Sequence, residues 1–176
     1  LAQRFGCHIT GVDLDENALE KARQNIRAAG LESLVQVQHA NATELPFPDN
    51  SFDVVINEAM LTMLPLANKE MAVAEYFRVL KPGGRIVILE FSTPTFAPFG
   101  AVYKNYIMKA IPPIARAISS NPESYEYLAE SIITWPNQQE LAQKFKEAGF
   151  TSVQYRNLTG GIVAIHRGFK PEAHNA

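Results

Sequence analysis

Cysteine, tryptophan and long apolar runs are what these 176 residues have least of: one Cys, one Trp, and no stretch long enough to span a bilayer. A lone Cys7 cannot close an internal disulfide, which excludes a disulfide-stapled scaffold and makes a reducing compartment, the cytoplasm, the default. Because it precedes an apolar strand, Cys7 is expected to be a buried small hydrophobe and not a nucleophile. A bilayer-spanning helix needs ~18 or more apolar residues in a row, and no basic-plus-apolar secretory signal opens the chain. An excess of one charge is also missing. With 16 Lys+Arg against 18 Asp+Glu, the net charge of -2 gives no electrostatic case for nucleic acid as a partner. No metal site is expected, and neither repeats nor low-complexity segments interrupt the chain.

What is present is a chain 47% hydrophobic, enough for one domain over 1–176 with an ample core. Residues 9–13 form a short apolar strand ending in Asp13. Asp15 is a good N-cap for the helix that follows, with Glu16 in its first turn. Leu19, Ala22, Ile26 and Ala29 recur at helical spacing, and Gly30 stops the helix. A second strand, Leu34 to His39, alternates apolar and polar. The third, Phe52 to Ile56, is almost wholly apolar, as in a strand buried on both faces. A helix over 67–80 ends at Lys81-Pro-Gly-Gly84, and Arg85 to Phe91 make the fourth strand. Helical patterns resume at about 123–133 and 138–148. Two closing strands, Val153 to Leu158 and Ile162 to His166, are joined by Thr159-Gly160-Gly161, which is hairpin chemistry. Strand and helix alternate until that hairpin. The expected fold is therefore α/β, a doubly wound, mostly parallel, Rossmann-like sheet with an antiparallel last strand.

An acid at the carboxyl tip of a strand is how such sheets hold the ribose of a nucleoside cofactor. Asp13 would accept from the ribose hydroxyls, Leu14 would pack on the adenine face, and Asn41 with the Ala42 amide would read the adenine edge. The plainer role, capping the next helix, is one Asp15 already fills. A first strand with a Gly-rich turn belongs roughly 20 residues before that acid. Only twelve residues precede Asp13, and Leu1 to Phe5 read as the tail of a helix. The chain is thus expected to start mid-fold, without its first strand and Gly-rich loop, and not to turn over by itself.

Gly-Val-Asp13, Asn-Ala-Thr-Glu-Leu-Pro-Phe47, Ser-Phe-Asp-Val-Val55 and Arg-Val-Leu-Lys-Pro-Gly-Gly84 together resemble the motif series of class I S-adenosylmethionine-dependent methyltransferases. Leu89-Glu-Phe-Ser92, the string Ser124 to Ile132, and Arg156 to Gly168 resemble more narrowly the ubiquinone/menaquinone biosynthesis C-methyltransferases. That resemblance runs from Phe5 onward. It implies S-adenosyl-L-methionine as cofactor and a polyprenylated benzoquinol or naphthoquinol, methylated at a ring carbon, as substrate. It places the family's cofactor contacts on Asp13, Asn41, Ala42 and Glu58. One stretch departs: where the family has a Ser followed by Phe-Gly-Leu-Arg-Asn, this chain has Glu58-Ala-Met-Leu-Thr-Met63, so Thr62 stands in place of the Arg. Two alternatives follow, another small apolar acceptor or a non-catalytic cofactor-fold fragment.

Ring methylation also needs a base. His166 is a poor choice, because it lies about five residues along an antiparallel strand from the ligand face, roughly 16 Å at ~3.3 Å per residue. Glu58 and Glu90 at strand tips, Tyr125 and Asn157 are better placed as substrate-facing groups, and the base itself is left unassigned. Residues 92–124 read as a lid-like insert. Within it, 94–118 interleaves apolar and aromatic residues with Lys104, Lys109 and Arg116 and holds no acid. Such a segment suits an isoprenoid tail or peripheral contact with an anionic membrane.

Overall fold

The computed structural model describes residues 1–96, 98, 100, 102–103, 105–106, 109, 130–132 and 134–172. Tyr125, Phe99, Lys104, Arg116 and most of the lid-like insert lie outside the described residues. Two compact units, 1–47 and 48–176, make up the chain.

In the first unit, helix α1 (Ala2–Phe5) ends at Gly6, and strand β1 (Ile9–Asp13) leads into helix α2 (Glu16–Ala28) and strand β2 (Val35–His39). Asp15 caps α2 by accepting from the Asn17 amide at 2.9 Å. At the other end the Gly30 amide donates to Arg27 and the Leu31 amide to Ile26, the paired bonds of a Schellman stop that needs Gly30 at φ 62°. β1 and β2 pair in parallel from Ile9↔Val35 to Asp13↔His39. Ala2, Leu19, Ala40 and Leu45 are the buried apolar residues here. Cys7, expected to be buried, is exposed, because it lies in the connection ahead of β1 and not in the strand itself.

The second unit holds β3 (Phe52–Glu58), a 3-10 turn (Leu61–Met63), α3 (Leu66–Val79), β4 (Leu80–Phe91), α4 (Gln138–Glu147), β5 (Thr151–Leu158), a 3-10 turn (Thr159–Gly161) and β6 (Val163–Phe169). The sheet order is β3-β4-β6-β5. β3 and β4 are parallel, and β6 is antiparallel to both β4 and β5, so the one reversed strand is the last. β4 begins five residues earlier than the sequence suggests. Leu80 already pairs with Phe52, and Lys81–Gly84 bulges out before Arg85 rejoins opposite Val54. A Cβ at Gly84 would stand 2.7 Å from the Lys81 carbonyl oxygen, so the bulge requires glycine. β3 is an edge strand of this sheet, which is why Ile56 is 56% exposed despite its apolar sequence.

Along β4, Ile86, Ile88 and Glu90 alternate onto one buried face, opposite Gly168, His166 and Ala164 of β6. Leu80, Phe145, Phe150 and Ala72 complete that core. Helices α3 and α4 both start at the carboxyl ends of the parallel strands and run back along them. Lys69 beside Trp135 at 4.7 Å marks one end of this pair, and Phe77 edge-on to Phe150 at 5.1 Å marks the other.

Candidate active site

In open α/β sheets ligands sit outside the carboxyl ends of the parallel strands. In the first unit those ends carry Asp13, Leu14, Asn41 and Ala42. The β1–β2 register sets Asp13 beside His39, and the Ala40 amide donates to the Asp13 carbonyl oxygen at 3.1 Å, which holds the two tips together. The Asp13 Oδ1 accepts from the Asp15 amide at 2.9 Å. That bond fixes the carboxylate's direction and leaves Oδ2 for another donor. Leu14 is an apolar side chain left 57% exposed directly beside it. Asn41 closes a turn in which its Oδ1 accepts from the Thr43 amide at 3.0 Å and its carbonyl from the Glu44 amide at 3.0 Å. All four sequence-derived cofactor residues of this unit therefore stand at one edge of one small sheet.

In the second unit the strand ends are built differently. Glu58 closes β3 and is exposed. The next residue, Ala59, has φ 50° while its amide donates to Leu89 at 2.9 Å, so the chain turns sharply at the tip. Glu90, at the corresponding end of β4, is only 1% exposed. Its Oε1 accepts from the Thr62 amide at 3.2 Å, and its Oε2 makes a short bond with the Thr62 hydroxyl. Burial pushes the Glu90 carboxyl above its ordinary range, against the pull of the Thr62 bonds. Beside it, burial lifts the Tyr76 hydroxyl well above its ordinary value, while Asn57 Nδ2 donates to that hydroxyl at 2.9 Å. Among the described residues the buried Asn57 Oδ1 and Ser92 Oγ have no hydrogen-bond partner.

Two of these features escaped the sequence reading. Thr62 replaces an Arg in the resemblance pattern, yet it is fully buried and ties the turn after β3 to β4. Gln138 reaches from the start of α4 to the Thr93 carbonyl at 2.8 Å and so holds the segment just past β4. The capping box around Asn137 and Glu140, readable as Asn-x-x-Glu, is the signal that could have located it. His166 was rejected as a base for its distance from the ligand face. It is set in mid-strand opposite Ile88, not at the far edge of the sheet, and is 1% exposed with Nε2 at 2.9 Å from the Gln138 carbonyl. Burial lowers its pKa, as its place in the core requires. Asn157 is exposed on β5 opposite Ala164.

Solved structures similar to this chain share its fold at low identity. The methyltransferase SibL in its apo form matches with a TM-score of 0.71 at 20% identity, covering 98% of this chain and 46% of that one. The [4+2]-cyclase SpnF matches at 0.70 and 18% identity, over 98% of this chain and 69% of that one. A fold that also serves a cyclase does not decide the reaction. Sequence relatives are much nearer. The demethylmenaquinone methyltransferase of Streptomyces avermitilis is 46% identical over 167 residues, 95% of this chain and 69% of the relative. That of Mycobacterium tuberculosis strain H37Rv is 51% identical over 144 residues, 82% of this chain and 61% of the relative. The chain therefore spans 69% and 61% of these two relatives' own lengths. The model of the ubiE/COQ5 methyltransferase family matches residues 2–170, nearly the whole length, and with these identities it makes the chain a member of that family.

Proposed function

We propose that this protein methylates a ring carbon of a polyprenylated naphthoquinol, with S-adenosylmethionine as the methyl donor. The observation that carries the reading is the identity of 46% over 95% of the chain to a protein named demethylmenaquinone methyltransferase. The exposed strand-tip residues suit the donor. Asp13 Oδ2 would accept from the ribose hydroxyls, the exposed face of Leu14 would cover adenine, and Asn41 with the Ala42 amide would meet its edge. The donor, when bound, supplies a sulfonium methyl group; a new carbon–carbon bond replaces the carbon–sulfur bond, and the ring carbon loses its proton.

The protein's part is to orient the ring for in-line approach, which can supply much of the rate, and to receive the phenolic and ring protons. Glu58, the exposed carboxylate at the end of β3, is a candidate for that proton transfer. Glu90 is enclosed and bonded to Thr62, which suits it to positioning the turn after β3. The same reading includes peripheral contact with a membrane through 94–118. Phe96, Val102 and Tyr106, described residues of that stretch, are exposed, and no described helix is long and apolar enough to cross a bilayer.

The test is methyl transfer by the full-length protein from labelled S-adenosylmethionine to demethylmenaquinol, read by mass spectrometry. The expected product carries the methyl on the naphthoquinol ring. Label found only on oxygen, or transfer to other apolar acceptors with none to demethylmenaquinol, would reject the assignment.

A further inference from the structure

Between α3 and α4 lies a cavity of about 640 Å³ that none of the cofactor residues line. Its walls include Val73 and Ala74 of α3, and Leu141 and Phe145 of α4 with Ala148 just beyond it. Two small residues, Ala74 and Ala148, leave a gap that larger side chains would close. The cavity has a direction. Leu61, Leu64 and Trp135 line the end nearest the carboxyl ends of β3 and β4, and Leu61 directly precedes Thr62, which is bonded to Glu90. At the other end the Phe77–Phe150 contact stands across the helix pair. Along its α3 wall, from Lys69 to Ala74, the helix rises about 7.5 Å at ~1.5 Å per residue. The space is a largely apolar cleft between the two helices, and Leu61, Leu64 and Trp135 extend its lining to the side where the strand ends lie. Charged groups, Glu70, Lys144 and Glu147 among them, stand in its walls as well.

We propose that this groove receives the isoprenoid tail of the acceptor, the tail entering past Trp135 and lying between Val73 and Leu141. The proposal rests on the quinol reading above, since a tail-less acceptor would have no use for it. A cleft running between two helices suits a flexible apolar chain such as a methyl-branched isoprenoid, and Leu61, next to the Thr62 bonded to Glu90, brings its lining to the strand ends where the quinol head would be methylated. Binding an apolar chain there removes apolar surface from water on both sides, the driving force for such sites.

Trp135 is the single tryptophan of these 176 residues and lines the groove, so the emission that is lost in Trp135→Phe reports occupancy without any need for turnover. Farnesol, an isoprenoid with no quinol head, is titrated into the full-length protein and into the double variant Ala74→Phe, Ala148→Phe. Both positions are at least partly exposed, so the variant should fold, which circular dichroism checks. The expected result is a saturable change in Trp135 emission, with affinity at least tenfold weaker in the double variant, and competition by long-chain quinol but not by 1,4-dihydroxynaphthalene. Emission that farnesol does not alter, or equal affinity in both proteins, would overturn the proposal. So would emission that shifts with protein concentration alone, which would point to a second copy in the groove. Farnesol binding as expected, with no methyl transfer to demethylmenaquinol, would instead fell the quinol reading and leave the groove an isoprenoid site.

Discussion

Asp13 and Asn41, at the strand ends of the first unit, are exposed and accept from backbone amides two residues further on. Glu90 and Asn57, at the strand ends of the second, are buried and bonded to side chains or backbone 28 and 19 residues away. The local bonds of the first set cost the core nothing to keep, and they aim a carboxylate and an amide at solvent, where a ligand can take the remaining lone pairs. The long-range bonds of the second set satisfy groups that would otherwise be stranded in an apolar interior. They also make the β3–β4 end rigid. The two ends therefore divide the work: one offers contacts, the other fixes shape.

If that division is right, the largest effects on stability lie in the second unit. Phe145 is fully buried, edge-on to His166 and tilted against Phe150. Phe145→Ala should lower unfolding free energy by about 3–5 kcal/mol, read from urea midpoints, while Leu14→Ala should shift it by less than about 0.5 kcal/mol. Comparable losses at the two positions would break the contrast at its base.

The converse holds for binding. Asp13→Ala should weaken S-adenosylmethionine binding by about 1–3 kcal/mol, the usual loss when charge-assisted hydrogen bonds go unmade, with stability nearly unchanged. Calorimetry on the full-length protein, paired with a melting curve, separates the two quantities. Unaltered affinity in a folded variant would reduce Asp13 to a turn residue serving only the Asp15 amide.

A third substitution sharpens the comparison where the units are alike. Each has a helix opened by a side-chain cap: Asp15 for α2, and Asn137 for α4 with the reciprocal Glu140 bond at 2.9 Å. Asn137→Ala should cost about 1 kcal/mol. It should cost more than Asp15→Ala, because Gln138, the residue after the cap, also holds Thr93 and receives His166. Equal costs in paired melting experiments would mean that the ties through Gln138 add nothing to the cap.

How much of this was legible from the sequence follows the same line. Asp13, Asp15 and Gly30 act through neighbours in the chain, so residue type and spacing revealed the strand tip, the cap and the stop. The alternation of strand and helix along the chain and the reversed last strand were also readable, the latter from Thr159-Gly160-Gly161. The Thr62–Glu90 pair was not, because it joins residues 28 apart whose types suggest a surface turn and a strand-tip acid. Phe52 to Ile56 has the apolar content of a strand buried on both faces, and Val54 and Ile56 are exposed because, among the described residues, β3 has a neighbour only in β4. Cys7 misled for a related reason, one residue type being assigned the burial of the strand it merely precedes. Register and burial depend on which strands are neighbours, and no local pattern encodes that.

The smallest expected effect is on pH dependence, and it bears on Glu90 directly. Because burial raises the Glu90 pKa in the folded state, its contribution to stability is complete below the unfolded value, about 4.5, and is lost as pH rises through the folded value. His166 runs the other way. Its folded pKa is lowered, so its contribution is complete above the ordinary histidine value of about 6.5 and is lost as pH falls. Around Glu90 stand Thr62, Tyr76 and Lys69; the Thr62 bonds and the Lys69 ammonium favour the charged carboxylate, and burial outweighs them. Glu90→Gln keeps the shape, with an oxygen to accept from the Thr62 amide and an NH2 to donate to its hydroxyl, and it removes the titration. The variant should match the wild type near pH 4 and become progressively the more stable of the two as pH rises above about 4.5. Urea midpoints taken from pH 4 to 8 would show the two curves diverging. A constant offset across that range would mean that Glu90 keeps one charge state throughout, and that Lys69 compensates burial more fully than its half-exposed position over the Trp135 ring suggests.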